Sequence, residues 1–237
     1  MIPDGFLRGV RAAVFDLDDT LYAFDGPGGA NPPALRALAA YAAPKLGLGE
    51  DEFLAEVAAS LREQKARTGH NAGYHSRCIR YSRILEARGL PLRLALDLAE
   101  RYWTELFARI EPAPGAADLL RACRARGLRV GIGTDMTAIE QFRKMEALGL
   151  LDLVDFVVAS EEAGVEKPEP AFFALVAEKA GCAPGDIFFA GDGLRKDALG
   201  AAAAGMRAVW LQPDAAKRAE RPDVASAASL HEILAAL

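Results

Sequence analysis

Residues 12–16, Ala-Ala-Val-Phe-Asp, form one short apolar run that ends on a carboxylate, and no second strand candidate follows until residue 128. A strand that short needs neighbours in a larger sheet. Its partners must therefore come from far downstream. After residue 115 the pattern alternates: helix 115–126, strand 128–133, helix 136–148, strand 154–159, helix 170–180, strand 186–191, helix 195–204 and strand 207–211. Strands alternating with helices imply βαβ units and a parallel sheet. The first strand is expected to join that later sheet, which makes the chain between them an insertion.

The insertion opens with a breaker-dense loop at 25–33 (Asp-Gly-Pro-Gly-Gly-Ala-Asn-Pro-Pro). Four stretches of helical periodicity follow, near 34–46, 50–67, 73–88 and 92–109, as in the spacing of Phe53, Val57 and Leu61. Pro112 and Pro114 end the block. The expected organisation is an α/β core from 1–21 and 111–237, with an all-helical domain at 22–110.

Composition narrows the function classes. With 237 residues, 51% of them hydrophobic, the chain can bury one sizeable core and carry a modest second domain. Charged residues balance at 28 basic against 33 acidic, which argues against a nucleic-acid polymer as partner. A small anionic substrate stays allowed, because a local site can be positive on an acidic protein. Cys78, Cys123 and Cys182 form no CxxC pair and no zinc spacing, so free thiols in a reducing cytoplasm are expected. Asp4, Arg8 and Arg11 interrupt any signal-peptide core, and no uncharged apolar run approaches the roughly 18 residues of a membrane helix. No membrane partner is expected. The expected assembly is a monomer or a homodimer.

In an open parallel sheet, ligands bind beyond the carboxyl ends of the strands. The first strand delivers Asp16-Leu17-Asp18-Asp19-Thr20 there, and the second delivers Thr134-Asp135. The third leads to a loop with Glu161, Glu162, Glu166 and Lys167, and the fourth gives Gly191-Asp192-Gly193 and then Asp197. Carboxylates gathered at one rim repel unless compensated. A hard divalent cation such as Mg²⁺ would compensate them through oxygen ligands. Lys167 adds a compact positive charge and Thr134 a hydroxyl donor. An aspartate can act as nucleophile, and a second carboxylate can protonate the leaving group and then activate water. The set fits metal-assisted phosphoryl transfer.

These residues resemble the four ordered motifs of the haloacid dehalogenase superfamily. Asp16-Leu17-Asp18-Asp19-Thr20 is similar to its DxDxT motif, Thr134 to the Ser or Thr of its second motif, and Glu166-Lys167-Pro168-Glu169-Pro170 to KPxP. Gly191-Asp192-Gly193-Leu194-Arg195-Lys196-Asp197 is similar to GDxxxxD. Each motif alone is weak; the ordered set is specific and covers nearly the whole chain.

The resemblance implies a Rossmann-like core with a helical cap of the C1 type. It implies Asp16 as nucleophile and Mg²⁺ ligand, and Asp18 as general acid and base with its backbone carbonyl on the metal. Thr134 and Lys167 would hold the phosphoryl group, Asp192 would be a further metal ligand, and Asp197 would orient Lys167 or a metal-bound water. Dehalogenases of the superfamily lack a carboxylate two residues after the nucleophile, so Asp18 favours phosphoryl transfer. The expected activity is hydrolysis of a small phosphomonoester (a sugar phosphate, phosphoglycolate or nucleoside monophosphate) through an aspartyl-phosphate. The stretch from Thr134 to Phe173 and the first motif are similar to the branch that includes pyrimidine 5′-nucleotidases. The rivals are a phosphomutase on the same core and a non-catalytic binding or regulatory member.

Two positions depart from the pattern: Asp135 stands where many relatives have Asn, and Gly193 where many have Ser or Thr. The extra carboxylate of Asp135 is expected to face solvent or touch substrate. The three loop glutamates are expected to be solvated, with at most one reaching the metal through water. Gly131-Ile132-Gly133-Thr134-Asp135-Met136 resembles a dinucleotide fingerprint but ends on Met, which weakens that reading.

In the helical block, two readings stand for His70 to Arg77. It is a plain helix–helix turn, or it selects the substrate, with His75 and Arg77 as contacts and Arg80 and Arg83 as further candidates by helical spacing.

Overall fold

The computed structural model describes residues 1–69 and 71–237; His70 lies outside the described residues. The chain divides into two compact units: Met1–Ala23 with Glu111–Leu237, and Phe24–Ile110.

The first unit is built on a six-stranded parallel sheet: β1 (Ala12–Phe15), β2 (Arg129–Thr134), β3 (Phe156–Ala159), β4 (Ile187–Gly191), β5 (Arg207–Leu211) and β6 (Ser226–Ala227). The strand order is β3-β2-β1-β4-β5-β6. The early strand β1 thus lies at the centre, between β2 and β4, with Phe15 in register with Ile132 on one side and Ala190 on the other. Every residue of β1 is fully buried. A strand hydrogen-bonded on both edges and covered on both faces must be uniformly apolar, which is why its sequence shows no alternation.

The chain runs outward from β1 through β2 to β3 and then returns to β4 on the other side of β1, so the carboxyl ends of β1 and β4 flank a switch point where ligands of such sheets bind. One face packs Val14, Phe189 and Val158 against Phe172, Phe173 and Val176. Gly131 and Gly133 belong to this packing. A Cβ on Gly131 would meet the Phe156 ring at 2.3 Å, and one on Gly133 the Phe189 ring at 2.8 Å. The glycines of the dinucleotide-like run serve ring packing within the sheet.

The second unit holds four long helices: α1 (Asn31–Leu46), α2 (Glu50–Thr68), α3 (Arg77–Ala87) and α4 (Leu94–Phe107). The third helix starts later than the periodicity predicts. Asn71 accepts a bond from the Gly73 N–H at 2.8 Å, a 3₁₀ turn covers Ala72–His75, and the Ser76 hydroxyl accepts the Ile79 N–H to cap α3. Side-chain caps of this kind satisfy the amide donors that open a helix.

The core unit continues with α5 (Ala116–Ala125), α6 (Ala138–Ala147), α7 (Ser160–Ala163), α8 (Pro170–Ala180), α9 (Gly200–Ala203), α10 (Ala215–Ala219) and α11 (Leu230–Ala236). The helix expected at 195–204 is wider at its start, with a π-helical turn over Leu194–Leu199 before α9. The sequence pattern missed β6, a two-residue strand too short to show any period. No described helix is long and apolar enough to cross a membrane.

Candidate active site

Asp16 follows β1 directly, and its amide donates to Ala190 O, so the β1–β4 ladder fixes its backbone. Lys167 follows β3 by way of α7 and precedes a cis peptide bond to Pro168. Its side chain is almost wholly buried, with Nζ 2.7 Å from Asp16 Oδ1, 2.6 Å from Asp197 Oδ1 and 3.1 Å from Gly133 O. A buried ammonium is tolerated only when paired and hydrogen-bonded. Here two carboxylates and a carbonyl do both.

Burial by itself would lower the Lys167 ammonium's affinity for its proton. The charges of Asp16, Asp197 and Asp135 hold its pKa above the ordinary lysine value. Asp16 is pushed well above the usual carboxylate range, first by burial and then by the charges of Asp197 and Asp192, against the pull of Lys167.

The fourth strand end supplies the remaining acids. One oxygen each from Asp16, Asp192 and Asp197 lie within 4.8 Å of one another. Loss of hydration, followed by the charges of Asp197 and Asp19, pushes the Asp192 carboxyl up to about 6. Acids raised in this way, with Lys167 as the cation bonded to two of the three, mark a surplus of negative charge. A hard divalent cation fits that oxygen donor set.

Thr20, buried at the end of the first motif, spans two motifs: its Oγ1 accepts the Asp192 N–H at 3.1 Å and lies 3.4 Å from Asp192 Oδ1. Trp210 Nε1 donates to Asp192 O at 2.8 Å.

Gly191 and Gly193 make room for Asp197. A Cβ on Gly191 would stand 2.5 Å from Asp197 Cγ, and one on Gly193 2.7 Å from Asp197 Oδ2. The Gly193 N–H instead donates to Asp197 Oδ2 at 2.8 Å. Glycine at 193 therefore tightens this corner of the site.

Asp18 faces different partners. Lys144 Nζ lies 2.6 and 2.9 Å from its two carboxylate oxygens. Gln141 Nε2 donates to Oδ2 at 3.2 Å, and the Tyr22 hydroxyl donates to Oδ1. Burial would raise Asp18, but Lys144 above all, with Tyr22 and Gln141, holds it below the ordinary carboxylate value. Gln141 Nε2 also lies within hydrogen-bond distance of Thr134 Oγ1 and, at 2.8 Å, of Asp135 O. Thr134, buried at the end of β2, is thereby tied to the same bracket as Asp18.

Lys144 and Gln141 were not among the residues the motifs pick out. A signal was present: Gln141, Lys144, Met145 and Leu148 fall at i, i+3, i+4 and i+7, the spacing of a buried helix face. Two polar side chains on that face need buried partners.

Two expectations are corrected. Asp135 does not face solvent freely: Oδ1 accepts the Lys167 N–H at 3.1 Å and Oδ2 pairs with Lys196 Nζ at 2.6 Å. Glu166 is not solvated: it is fully buried and pairs with the same Lys196 at 3.2 Å. Lys196 neutralises two acids that sequence alone leaves uncompensated. Glu161 caps the Ala138 N–H and Glu162 pairs with Lys179.

In the helical unit, Arg77 is buried. It donates to His75 O at 2.8 Å and Tyr102 Oη at 3.0 Å, with its guanidinium over the Tyr102 and Trp103 rings. Arg80 donates to Tyr74 O at 2.9 Å. Burial and the nearby Arg77 lower its pKa to about 10. Both arginines brace the 3₁₀ turn that presents His75, whose ring packs on Tyr74 with centroids 3.9 Å apart. Arg83 pairs with Glu63.

The carboxyl edge of this Rossmann-like sheet thus gathers a buried aspartate paired with a lysine and a cluster of carboxylates. The haloacid dehalogenase-like hydrolase model matches residues 10–205, and the chain belongs to that family. It is 36% identical over 221 residues to a ribulose-1,5-bisphosphate 5-phosphatase from Halopiger xanaduensis, covering 89% of this chain and 90% of that one. It is 33% identical over 203 residues to a glyceraldehyde 3-phosphate phosphatase from Methanopyrus kandleri, covering 86% and 84%. Among solved structures, it is similar to a HAD phosphatase from Thermococcus onnurineus, with a TM-score of 0.69, 26% identity and coverage of 94% and 95%.

Proposed function

We propose that the protein is a Mg²⁺-dependent phosphatase of small phosphomonoesters, with sugar phosphates the favoured class, acting through an aspartyl-phosphate. The observation that carries this reading is the division of the two carboxylates of the first motif: Asp16 is paired with Lys167, and Asp18 is held separately by Lys144, Gln141 and Tyr22. This separation supports reading one as a nucleophile and the other as an acid–base, the two roles that ester hydrolysis in two steps requires. The names of the relatives support the sugar phosphate class.

Asp16 attacks phosphorus, forming a P–O bond as the bond to the ester oxygen breaks. Asp18, held as a carboxylate at rest, must take up a proton before turnover, and it gives that proton to the departing alkoxide. As a carboxylate it then takes a proton from water, which attacks the phosphorus on Asp16 and frees inorganic phosphate. Lys167 and Thr134 hold the non-bridging oxygens. Asp16, Asp192 and the backbone carbonyl of Asp18 would hold Mg²⁺, which when bound offsets the negative charge of the phosphoryl group and its acids. Asp197 orients Lys167. The helical unit is proposed as the cap, with His75 as its substrate contact and Arg77 supporting the 3₁₀ turn. The protein is proposed to work in the cytoplasm.

The test is phosphate release over a panel of phosphomonoesters, with Mg²⁺, with chelator and with Asp16→Asn. Hydrolysis of a few sugar phosphates that needs Mg²⁺ and is lost in the variant supports the reading. Turnover of a sugar bisphosphate to its isomer, with no phosphate released, overturns it in favour of a mutase.

A further inference from the structure

Lys144 is completely buried in α6, on a helix face that otherwise meets the core through Met145 and Leu148. An ammonium there is costly unless paired. Its ion pair is with Asp18, both of whose oxygens it reaches. The same carboxylate takes hydrogen bonds from Tyr22 and Gln141. Gln141 also grips Thr134, so three residues from Gln141 to Lys144 couple the end of β2 to the first motif. Lysine is suited to this because its three donors sit on a compact charge that can serve several acceptors. The site therefore uses two buried lysines, one for each carboxylate of the first motif: Lys167 for Asp16 and Lys144 for Asp18.

We infer that Lys144 is a positioning residue for the acid–base carboxylate: it fixes where Asp18 stands and keeps that carboxylate off the nucleophile's lysine. The inference rests on the phosphatase reading. It assigns Lys144 no contact with substrate or metal. Its effect on turnover then passes through Asp18, the carboxylate it pairs with, and that sets the test.

The experiment is a double-mutant cycle with Lys144→Met, Asp18→Asn and the pair, in the full chain with Mg²⁺. The probes are p-nitrophenyl phosphate, whose leaving group departs without a proton, and the best sugar phosphate of the release panel. Lys144→Met is expected to lower kcat by about 10- to 100-fold, a part of what acid–base catalysis contributes, and to do so more on the sugar phosphate than on the aryl ester. KM and the Mg²⁺ requirement stay within about threefold, because no binding group is removed. In the Asp18→Asn background the same substitution changes kcat less than about twofold.

Thermal melts read the pair a second way. Asp18→Asn leaves Lys144 buried without its anion and lowers Tm, and adding Lys144→Met restores part of the loss. If Lys144→Met does not fold, Lys144→Arg takes its place, and retention of most of the kcat is the expected result. An equal loss of kcat from Lys144→Met with and without Asp18 overturns the inference, as does an unchanged kcat in an active enzyme. A wild-type enzyme silent on every ester overturns the phosphatase reading and this role with it.

Discussion

Lys167 and Asp197 are joined by a 2.6 Å ion pair between two side chains that are both almost fully buried. The same ammonium also holds Asp16 at 2.7 Å. Asp197 therefore anchors the lysine that faces Asp16, the proposed nucleophile. Removing its charge while keeping its shape, as in Asp197→Asn, leaves Lys167 ion-paired to Asp16, with Gly133 O as its carbonyl partner. We expect kcat to fall about 10- to 100-fold, the range for partners that orient a site from behind. Steady-state kinetics with a Mg²⁺ titration checks this; an unchanged kcat would show that Asp16 and Gly133 suffice to place Lys167.

The glycines of the fourth motif make a sharper prediction. Gly191→Ala places a methyl 2.5 Å from Asp197 Cγ, which cannot move without disturbing Lys167. The expected result is a folded protein with kcat reduced about 10-fold or more, comparable to Asp197→Asn. Gly185→Ala is the control, since its added carbon meets only Gly205 O at 4.0 Å, and it should leave activity unchanged. Circular dichroism and phosphate release on both variants separate a displaced Asp197 from a damaged fold.

Much of the core was legible because its signals are local. The buried strand β1, each motif taken singly and each step of the alternation of helix and strand sit within short windows. Asp16, Lys167, Asp192 and Asp197 could be named because each follows a strand end. What stayed hidden depends on partners distant in sequence. Asp135 reads as an exposed extra acid until Lys196 is found 61 residues away, and Glu166 reads as solvated until the same lysine is placed beside it. Asp18 meets Lys144 across 126 residues. In the helical unit, Arg77 suggested a substrate contact from its place in a polar turn. Its guanidinium instead lies over Tyr102 and Trp103, aromatic partners that no local window contains.

Phe173 is fully buried and packs edge-on against both Phe172 and Phe189, with ring centroids 5.5 Å apart in each case. It also touches the space a side chain on Gly200 would need. Phe173→Ala should cost about 3–5 kcal/mol of stability, the range for an aromatic ring deleted from a packed core. Denaturant unfolding of the core transition reads this. A loss under 1 kcal/mol would mean that α8 collapses onto β4 to refill the space.

On the proposed Mg²⁺ reading, Asp192 is expected to make the stability of the protein depend jointly on pH and on metal. Its carboxyl is raised in the fold from the ordinary 3.8 to about 6. Between those values the folded state holds a proton that the unfolded chain has released. By linkage, stability from this group then falls as pH rises through that window and stays lower above it. Mg²⁺ requires the ionised form, so protons compete with it below about pH 6. With chelator present, the group's contribution should favour pH 5 over pH 7. The rise in Tm on adding Mg²⁺ should be larger at pH 7 than at pH 5. Asp192→Asn cannot ionise, so it should melt at or above the wild type at pH 7 in chelator and gain little from Mg²⁺. Differential scanning fluorimetry at the two pH values, with and without Mg²⁺, gives all four comparisons. A Mg²⁺-induced rise of equal size at both values would mean that the proton on Asp192 does not oppose the metal.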